Sequence, residues 1–392
     1  MKQRSRRSPE SSALEQLSER LLSEFESWRG ECWSDEKFEA LALEIFALQF
    51  AACSPYRSYC AARGASPETV ADWRRIPPVP AEAFRHVEFR TNSTGRELRF
   101  RTSGTTGGSA ARGIHIVPEP ALYRASLRGA FRQLVLRPRG EGYEDSRHET
   151  STAGVPLLVS LVPRFDPDDG SSLAWMLDDL IDTFGRPGSR SVASARGIDW
   201  SALFSLCDAV AGRNEAPDLA GTPVILLGTT LSFDAFRDRI ARADRSWQLP
   251  PGSILMDTGG VKGRDGLDRD DTMRELLPRL GIEPSRLVNE FGMTELLSQR
   301  YGWGTGLPKL VGPPWLRTRV LDPVNLEPRP AGSEGILCHY DLANAGSAIG
   351  VLTEDRGVDE PGGIRLLGRT PGSPPRGCSL ATAELLRARE RE

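Results

Sequence analysis

From residue 97 to residue 291, short apolar runs of strand length alternate with segments of helical periodicity, and this alternation restricts the fold more than any other feature. Strand candidates fall at 98–102, 114–117, 155–162, 224–227, 254–256 and 287–291, with helical stretches at 122–134, 173–184, 233–241 and 272–280. Parallel strands need a crossover connection, usually a helix, so the pattern predicts an α/β body around a mainly parallel sheet. Beyond 317 the strand candidates at 319–322, 335–340, 349–352 and 364–367 follow one another without long helices, which predicts a smaller β-rich subdomain. Ahead of the α/β pattern, Leu14, Leu17, Leu21, Phe25 and Trp28 make one apolar stripe at helical spacing, and Phe38, Leu41, Ile45 and Leu48 make another. Both stripes read as core. The expected organisation is a disordered basic tail over 1–12, a helical region over 13–96, an α/β core over 97–316, the β-rich subdomain over 317–368, and a short arm over 369–392.

Charge and composition narrow the partners. Net charge is -3 with acids and bases interspersed, so no field of one sign points to nucleic acid. No apolar run approaches the roughly 18 residues that span a bilayer, and the basic start MKQRSRRS is followed by no hydrophobic stretch. The expectation is a soluble, cytoplasmic chain without a membrane span. The 6 cysteines form no Cys-x-x-Cys pair and the 4 histidines are scattered, which argues against a disulfide framework and a structural zinc site. Of 50 basic residues only Lys2, Lys37, Lys262 and Lys309 are lysine, so a lysine weakly marks a place that needs a compact point charge.

Three segments at successive strand ends carry the chemical signal. Thr102-Ser103-Gly104-Thr105-Thr106-Gly107-Gly108 follows the first strand candidate; its glycines let successive amides face one anion, and its hydroxyls add neutral donors. It is not a Walker A loop, since no Gly-Lys-Ser/Thr closes it, and Arg112 is the nearest cation. The competing reading is an ordinary surface turn. Met256-Asp257-Thr258-Gly259-Gly260-Val261-Lys262-Gly263-Arg264 opens from a strand end into glycines with two cations, where ligands of open α/β sheets bind; a plain βα turn competes. Asn289-Glu290-Phe291-Gly292-Met293-Thr294-Glu295 places an aromatic ring, a hydroxyl and a carboxylate within five residues, a set able to stack a base, donate to phosphate and hold Mg2+.

Together these segments resemble the adenylate-forming superfamily of acyl-CoA synthetases and adenylation domains. Residues 102–107 are similar to its phosphate loop and 291–295 to its aromatic-Gly-x-Thr-Glu motif. Thr353-Glu354-Asp355 resembles its Thr-Gly-Asp motif, with Glu354 departing from the glycine, and Gly368-Arg369 resembles its hinge. Within that superfamily the closer resemblance is to the acyl-protein synthetases, the family of the synthetase subunit of the bacterial luminescence fatty acid reductase. It lies in DTGGVKGR (257–264), NEFGMTELLSQRYG (289–302) and RGCSL (376–380), and extends over about 97–385.

The resemblance implies a large α/β adenylation domain, a smaller β subdomain, and a C-terminal domain largely absent, since only 22 residues follow Thr370. It implies ATP and Mg2+: Thr102, Ser103, Gly104, Thr105, Thr106 and Gly107 on the β- and γ-phosphates, Thr294 on the α-phosphate and Glu295 on the metal. Phe291, with Gly292 and Met293, would stack on adenine against Gly259 and Gly260, while Asp355 and Arg369 would grip the ribose. The lysine of the missing domain needs a substitute, and Lys262 and Arg112 are the candidates; for Lys262 a solvated turn lysine competes. Cys378 is the implied acyl acceptor, with Arg376 favouring its thiolate and the surrounding prolines and glycines predicting a mobile arm; a small buried hydrophobe competes. The expected activity is ATP-dependent activation of a carboxylic acid, of the fatty class, to acyl-AMP, then a thioester on Cys378, then delivery to an accepting protein such as a reductase or carrier. The alternatives are a phenylacetate-CoA ligase-like enzyme that passes the acyl group to CoA or a carrier thiol, and a nucleotide-binding protein without turnover.

Overall fold

Both N-terminal stripes become helices, α1 (Pro9–Ser27) and α2 (Asp35–Ala52), followed by α3 (Ser54–Ala62). Ser34 starts α2 by accepting the Lys37 N–H, and Asp35 and Glu36 occupy the first turn, where the helix dipole favours acids. Leu14, Leu21, Phe25, Phe38 and Ile45 are fully buried, whereas Leu41 and Leu48 lie half-buried at the stripe's margin. The structure, a computed structural model, describes residues 9–91, 97–102, 112–137, 154–213, 218–259, 268–369 and 375–389. Helix α1 thus begins inside the stretch expected as a tail, with Pro9 at its first position, where the missing N–H is harmless.

An antiparallel hairpin of β1 (Leu98–Arg101) and β2 (Ile114–Val117) leads into α4 (Pro120–Phe131). The alternating region then runs β3 (Leu157–Ser160), α5 (Ser172–Phe184), α6 (Trp200–Val210), β4 (Val224–Thr229), α7 (Thr230–Arg242), β5 (Ile254–Thr258), α8 (Arg269–Leu280), β6 (Leu287–Phe291) and β7 (Arg300–Trp303). Its sheet has the order β7-β6-β5-β4-β3, with Arg190–Ser191 at the far edge. Every pair is parallel except β7 against β6, so the mainly parallel sheet expected from the alternation is present. Leu157, Leu226, Leu255 and Leu287 project from one face into a core with Phe233, Phe236, Met273 and Leu276 from α7 and α8. Helix α6 escaped the periodicity reading because its sequence, WSALFSLCDAV, is apolar on most sides.

The last part is antiparallel: β8 (Leu316–Leu321), β9 (Glu334–Asp341), β10 (Gly350–Glu360) and β11 (Gly363–Arg369) pair in the order β11-β10-β9-β8, and α9 (Arg376–Arg389) follows. A two-residue strand, Val79–Pro80, adds in parallel to β10.

The chain divides into two compact units that interleave in sequence: one gathers 1–130, 293–299 and 311–392, the other 131–292 and 300–310. The first therefore joins α1–α4, the β1–β2 hairpin, β8–β11 and α9, while the second holds the parallel sheet. Within the first unit Trp315 stacks on Phe25 at 4.2 Å and meets Trp28 edge-on at 5.1 Å. Gly129 of α4 lies so close to this group that a Cβ there would stand 3.1 Å from the Phe25 carbonyl oxygen. Among the described residues no single helix is long and apolar enough to cross a membrane.

Candidate active site

In the α/β unit the ends of β5 and β6 are built around a buried ion pair. Asp257, fully buried, accepts from Arg269 Nε at 2.8 Å and from Thr230 Oγ1 at 2.9 and 3.1 Å. Arg269 and Thr230 are the first residues of α8 and α7, so one carboxylate ties the end of β5 to the starts of the helix before it and the helix after it. Burial raises the pKa of Asp257, and Arg269 and Thr230 oppose that shift. The register pairs Asn289 with Asp257 and Glu290 with Thr258, so Phe291 and Gly259 leave their strands side by side. Gly259 has φ +82 and open space where a Cβ would stand. A planar ring thus finds an aromatic face at Phe291 beside a position with no side chain. Gly260, Val261, Lys262, Gly263 and Arg264 lie outside the described residues.

Glu290 points to the opposite face of β6 and is buried; burial, reinforced by the negative charge of Asp257, pushes its pKa up to about 8. Next to it across the sheet, Thr258 Oγ1 is buried without a hydrogen-bond partner among the described residues.

In the other unit the base of the predicted phosphate loop is closed twice, by Thr102 N–H on the Gly113 carbonyl at 2.9 Å and by Gly113 N–H on Thr102 Oγ1 at 2.8 Å. A Cβ on Gly113 would lie 2.9 Å from the Phe84 carbonyl carbon, so only glycine fits this closure. Ser103, Gly104, Thr105, Thr106, Gly107 and Gly108 lie outside the described residues; Arg112, beside the closure, is exposed.

The chain passes from the α/β unit to the other between Gly292 and Met293. Thr294 and Glu295 form a turn there, and side chains hold their carbonyls: His115 Nδ1 sits 2.6 Å from Thr294 O, and Asn344 Nδ2 donates to Glu295 O at 2.8 Å. Burial pushes the pKa of His115 down to about 4, so the ring is neutral, and a carbonyl partner requires the proton on Nδ1. Two residues on, Asp341 accepts from Leu297 N–H at 2.8 Å and from Ser298 Oγ at 2.7 Å. Its carboxyl is fully buried and raised to about 6 in spite of these donors.

Asp355 and Arg369 face each other across β10 and β11, with Nε 3.3 Å from Oδ1. Cys378 lies in the first turn of α9, buried, its thiol donating to the Thr353 carbonyl at 3.4 Å. That places the sulfur on the Thr-Glu-Asp segment itself. Burial, the Glu354 carboxylate and Cys338 push the thiol up to about 12, so in this position it is not a thiolate. The expectation that Arg376 favours the thiolate is thus corrected, since burial outweighs any nearby cation. The described part of the expected mobile arm is a seated helix: Gly377 N–H donates to Pro323 O at 2.9 Å, Glu384 pairs with Arg63 at 2.6 Å, and Arg389 donates to His86 O at 2.7 Å.

Sequence reasoning assigned no role to Asp257, Arg269, Thr230, Asp341 or Asn344. A usable signal existed for two of them, a carboxylate ending an apolar strand in Ile254-Leu255-Met256-Asp257 and in Cys338-His339-Tyr340-Asp341. Among the described residues no three His, Cys, Asp or Glu side chains cluster as a metal site.

The chain is similar to known proteins over the segments that hold these strand ends and the seated thiol. Residues 213–386 match the model of the family described as acyl-protein synthetase, LuxE. The long-chain-fatty-acid–luciferin-component ligase of Vibrio harveyi is 26% identical over 346 residues, covering 85% of this chain and 84% of that one. Among solved structures, 2-hydroxyisobutyryl-CoA ligase in an open conformation with 2-HIB-AMP and CoA superposes with a TM-score of 0.57 at 14% identity, over 86% of this chain and 69% of the ligase. Its postadenylation state with 2-HIB-AMP gives 0.55 at 16% identity. The ATP-bound RpMatB-BxBclM chimera B3 gives 0.44 at 16% identity, and this chain spans 50% of its length. The fold is that of the adenylate-forming ligases.

Proposed function

We infer that this chain is an ATP-dependent acyl-protein synthetase that converts a carboxylic acid to acyl-AMP and takes the acyl group onto Cys378. The observation that carries the reading is the seat of Cys378: its thiol is bonded to Thr353, two residues from Asp355 and its partner Arg369. A thiol stored beside a candidate nucleotide motif has only a short way to travel to an adenylate made there.

In the first step an acid carboxylate oxygen attacks the α-phosphorus of ATP and pyrophosphate leaves, a displacement governed by alignment and charge stabilisation. Thr102 and the loop that it closes with Gly113 would hold the outer phosphates, and Arg112 or Lys262 would offset their charge. Phe291 beside Gly259 would take the adenine, Asp355 and Arg369 the ribose hydroxyls, and Thr294 the α-phosphate. Glu295 is the residue suited to a divalent ion such as Mg2+, which when bound neutralises phosphate charge. In the second step the Cys378 sulfur attacks the acyl carbonyl carbon, the thiol proton passes to solvent, and AMP leaves. A thiol held near 12 is a poor nucleophile at neutral pH, so α9 must leave its seat before attack.

The same protected thiol favours a second reading, transfer of the acyl group directly to CoA or to a carrier-protein thiol. One experiment separates the two. Incubation with ATP, Mg2+ and radiolabelled fatty acid is expected to leave hydroxylamine-sensitive label on the wild type and none on Cys378→Ala. Label on both proteins, or label appearing only on added CoA, overturns the first reading in favour of the second.

A further inference from the structure

The segment Met293–Gln299 is irregular; Leu296 N–H donates to Met293 O at 3.0 Å, and side chains bond several of its other backbone groups. Three buried side chains grip it in sequence. His115 from β2 takes the Thr294 carbonyl, Asn344 from the turn after β9 takes the Glu295 carbonyl, and Asp341 at the end of β9 takes the Leu297 N–H and the Ser298 hydroxyl. Ser298 is fixed from its other side by Ser126 of α4 at 2.8 Å, and Ser126 in turn accepts from Trp315 Nε1 at 2.8 Å.

His115 and Asn344 are completely buried, and each leaves one acceptor, Nε2 and Oδ1, without a partner among the described residues. Such an acceptor costs about 1–3 kcal/mol, so these two side chains are poor choices for packing alone. What they do accomplish is directional. Fixing two successive carbonyls fixes the planes of the peptides that follow Thr294 and Glu295, and hence the directions in which those side chains leave the backbone.

Resting on the adenylation reading above, we propose that His115 and Asn344 are positioning residues for acyl-AMP formation, acting through the backbone of Thr294 and Glu295 rather than by touching substrate. Misplacement by about 1 Å lowers the rate of an aligned displacement by roughly a hundredfold while leaving substrate affinity largely intact. The effect should therefore fall on turnover and not on the acid's KM.

Acid-dependent ATP–pyrophosphate exchange tests this with His115→Phe, which keeps a ring and removes the N–H, with His115→Asn, which restores an N–H, and with Asn344→Asp, which keeps the shape and removes the donor. The expected result is a kcat for exchange at least roughly tenfold below wild type in His115→Phe and Asn344→Asp, an acid KM within about twofold, and substantial recovery in His115→Asn. Circular dichroism and thermal melting check folding; should His115→Phe not fold, Asn344→Asp carries the test alone. Folded variants that exchange like the wild type, or that raise KM at constant kcat, overturn the inference. A wild type that shows no exchange with any acid overturns the adenylation reading and this inference with it, and so differs from wild-type exchange unaffected by the substitutions.

Discussion

Cys378, the proposed acyl acceptor, is held as a buried thiol. Its sulfur is shielded by the first turn of α9 and bonded to a carbonyl, and the carboxylate of Glu354 opposes ionisation further. Alkylation by iodoacetamide at pH 8, followed residue by residue with mass spectrometry, should label exposed Cys32 at least roughly tenfold faster than Cys378. Equal rates would mean that the thiol does not occupy this seat. The other residue of consequence is Arg269, only 15% exposed at its side chain, whose loss would leave the fully buried Asp257 carboxylate without its cation. Removing one partner of such a pair destabilises by about 3–5 kcal/mol, so Arg269→Met should lower the urea unfolding midpoint markedly at pH 7. An unchanged midpoint would show that the strand end is held otherwise.

Among the elements, α9 holds the proposed acyl acceptor and the hairpin of β1 and β2 closes the base of the predicted phosphate loop. Helix α9 rests on the Pro323–Leu326 turn through Gly377, where an added Cβ would lie 2.6 Å from Leu326 Cδ2 and 3.1 Å from the Pro323 carbonyl. Gly377→Val should therefore lift the start of the helix and expose the thiol next to it. The expected outcome is faster alkylation of Cys378 than in the wild type, with little change at Cys32; slower or equal alkylation would show that the seat does not depend on that contact. The hairpin places His115 opposite Phe100 and brings Thr102 and Gly113 together, so the same two strands close the predicted phosphate loop and support Thr294. That coupling is invisible in a linear reading, because His115 and Thr294 are 179 residues apart.

For the molecule as a whole, buried titrating groups set how stability varies with pH. His115 ionises near 4 in the fold against about 6.5 when exposed, so the unfolded chain binds the extra proton first and stability falls as pH drops from about 6.5 towards 4. Glu290 works in the opposite direction. Its carboxyl keeps a proton up to about 8 in the fold but loses it near 4.5 when unfolded, so stability falls as pH rises between those values. Glu290→Gln, which needs no proton, should raise the melting temperature at pH 8 more than at pH 5; an equal shift at both would mean that Glu290 does not titrate in this window.

Much of this protein was legible in the chain. Period-2 and period-3.6 patterning located most strands and helices because burial of one face imposes those periods locally. The predicted phosphate loop and the Phe291–Glu295 and Asp355 segments stood out as candidates because they are contiguous, and contiguous residues share a strand end whatever the rest of the chain does. The tertiary structure alone decided the environment of each group. It put Asp257 with Arg269 and Thr230, Asp341 with Leu297 and Ser298, and Asn344 with Glu295, from positions far apart in sequence. It also made Cys378 a protected thiol instead of an exposed thiolate. The reason is physical: residue type and spacing determine what a side chain is able to do, whereas its charge state and aim depend on burial and on partners that only folding brings within hydrogen-bond reach.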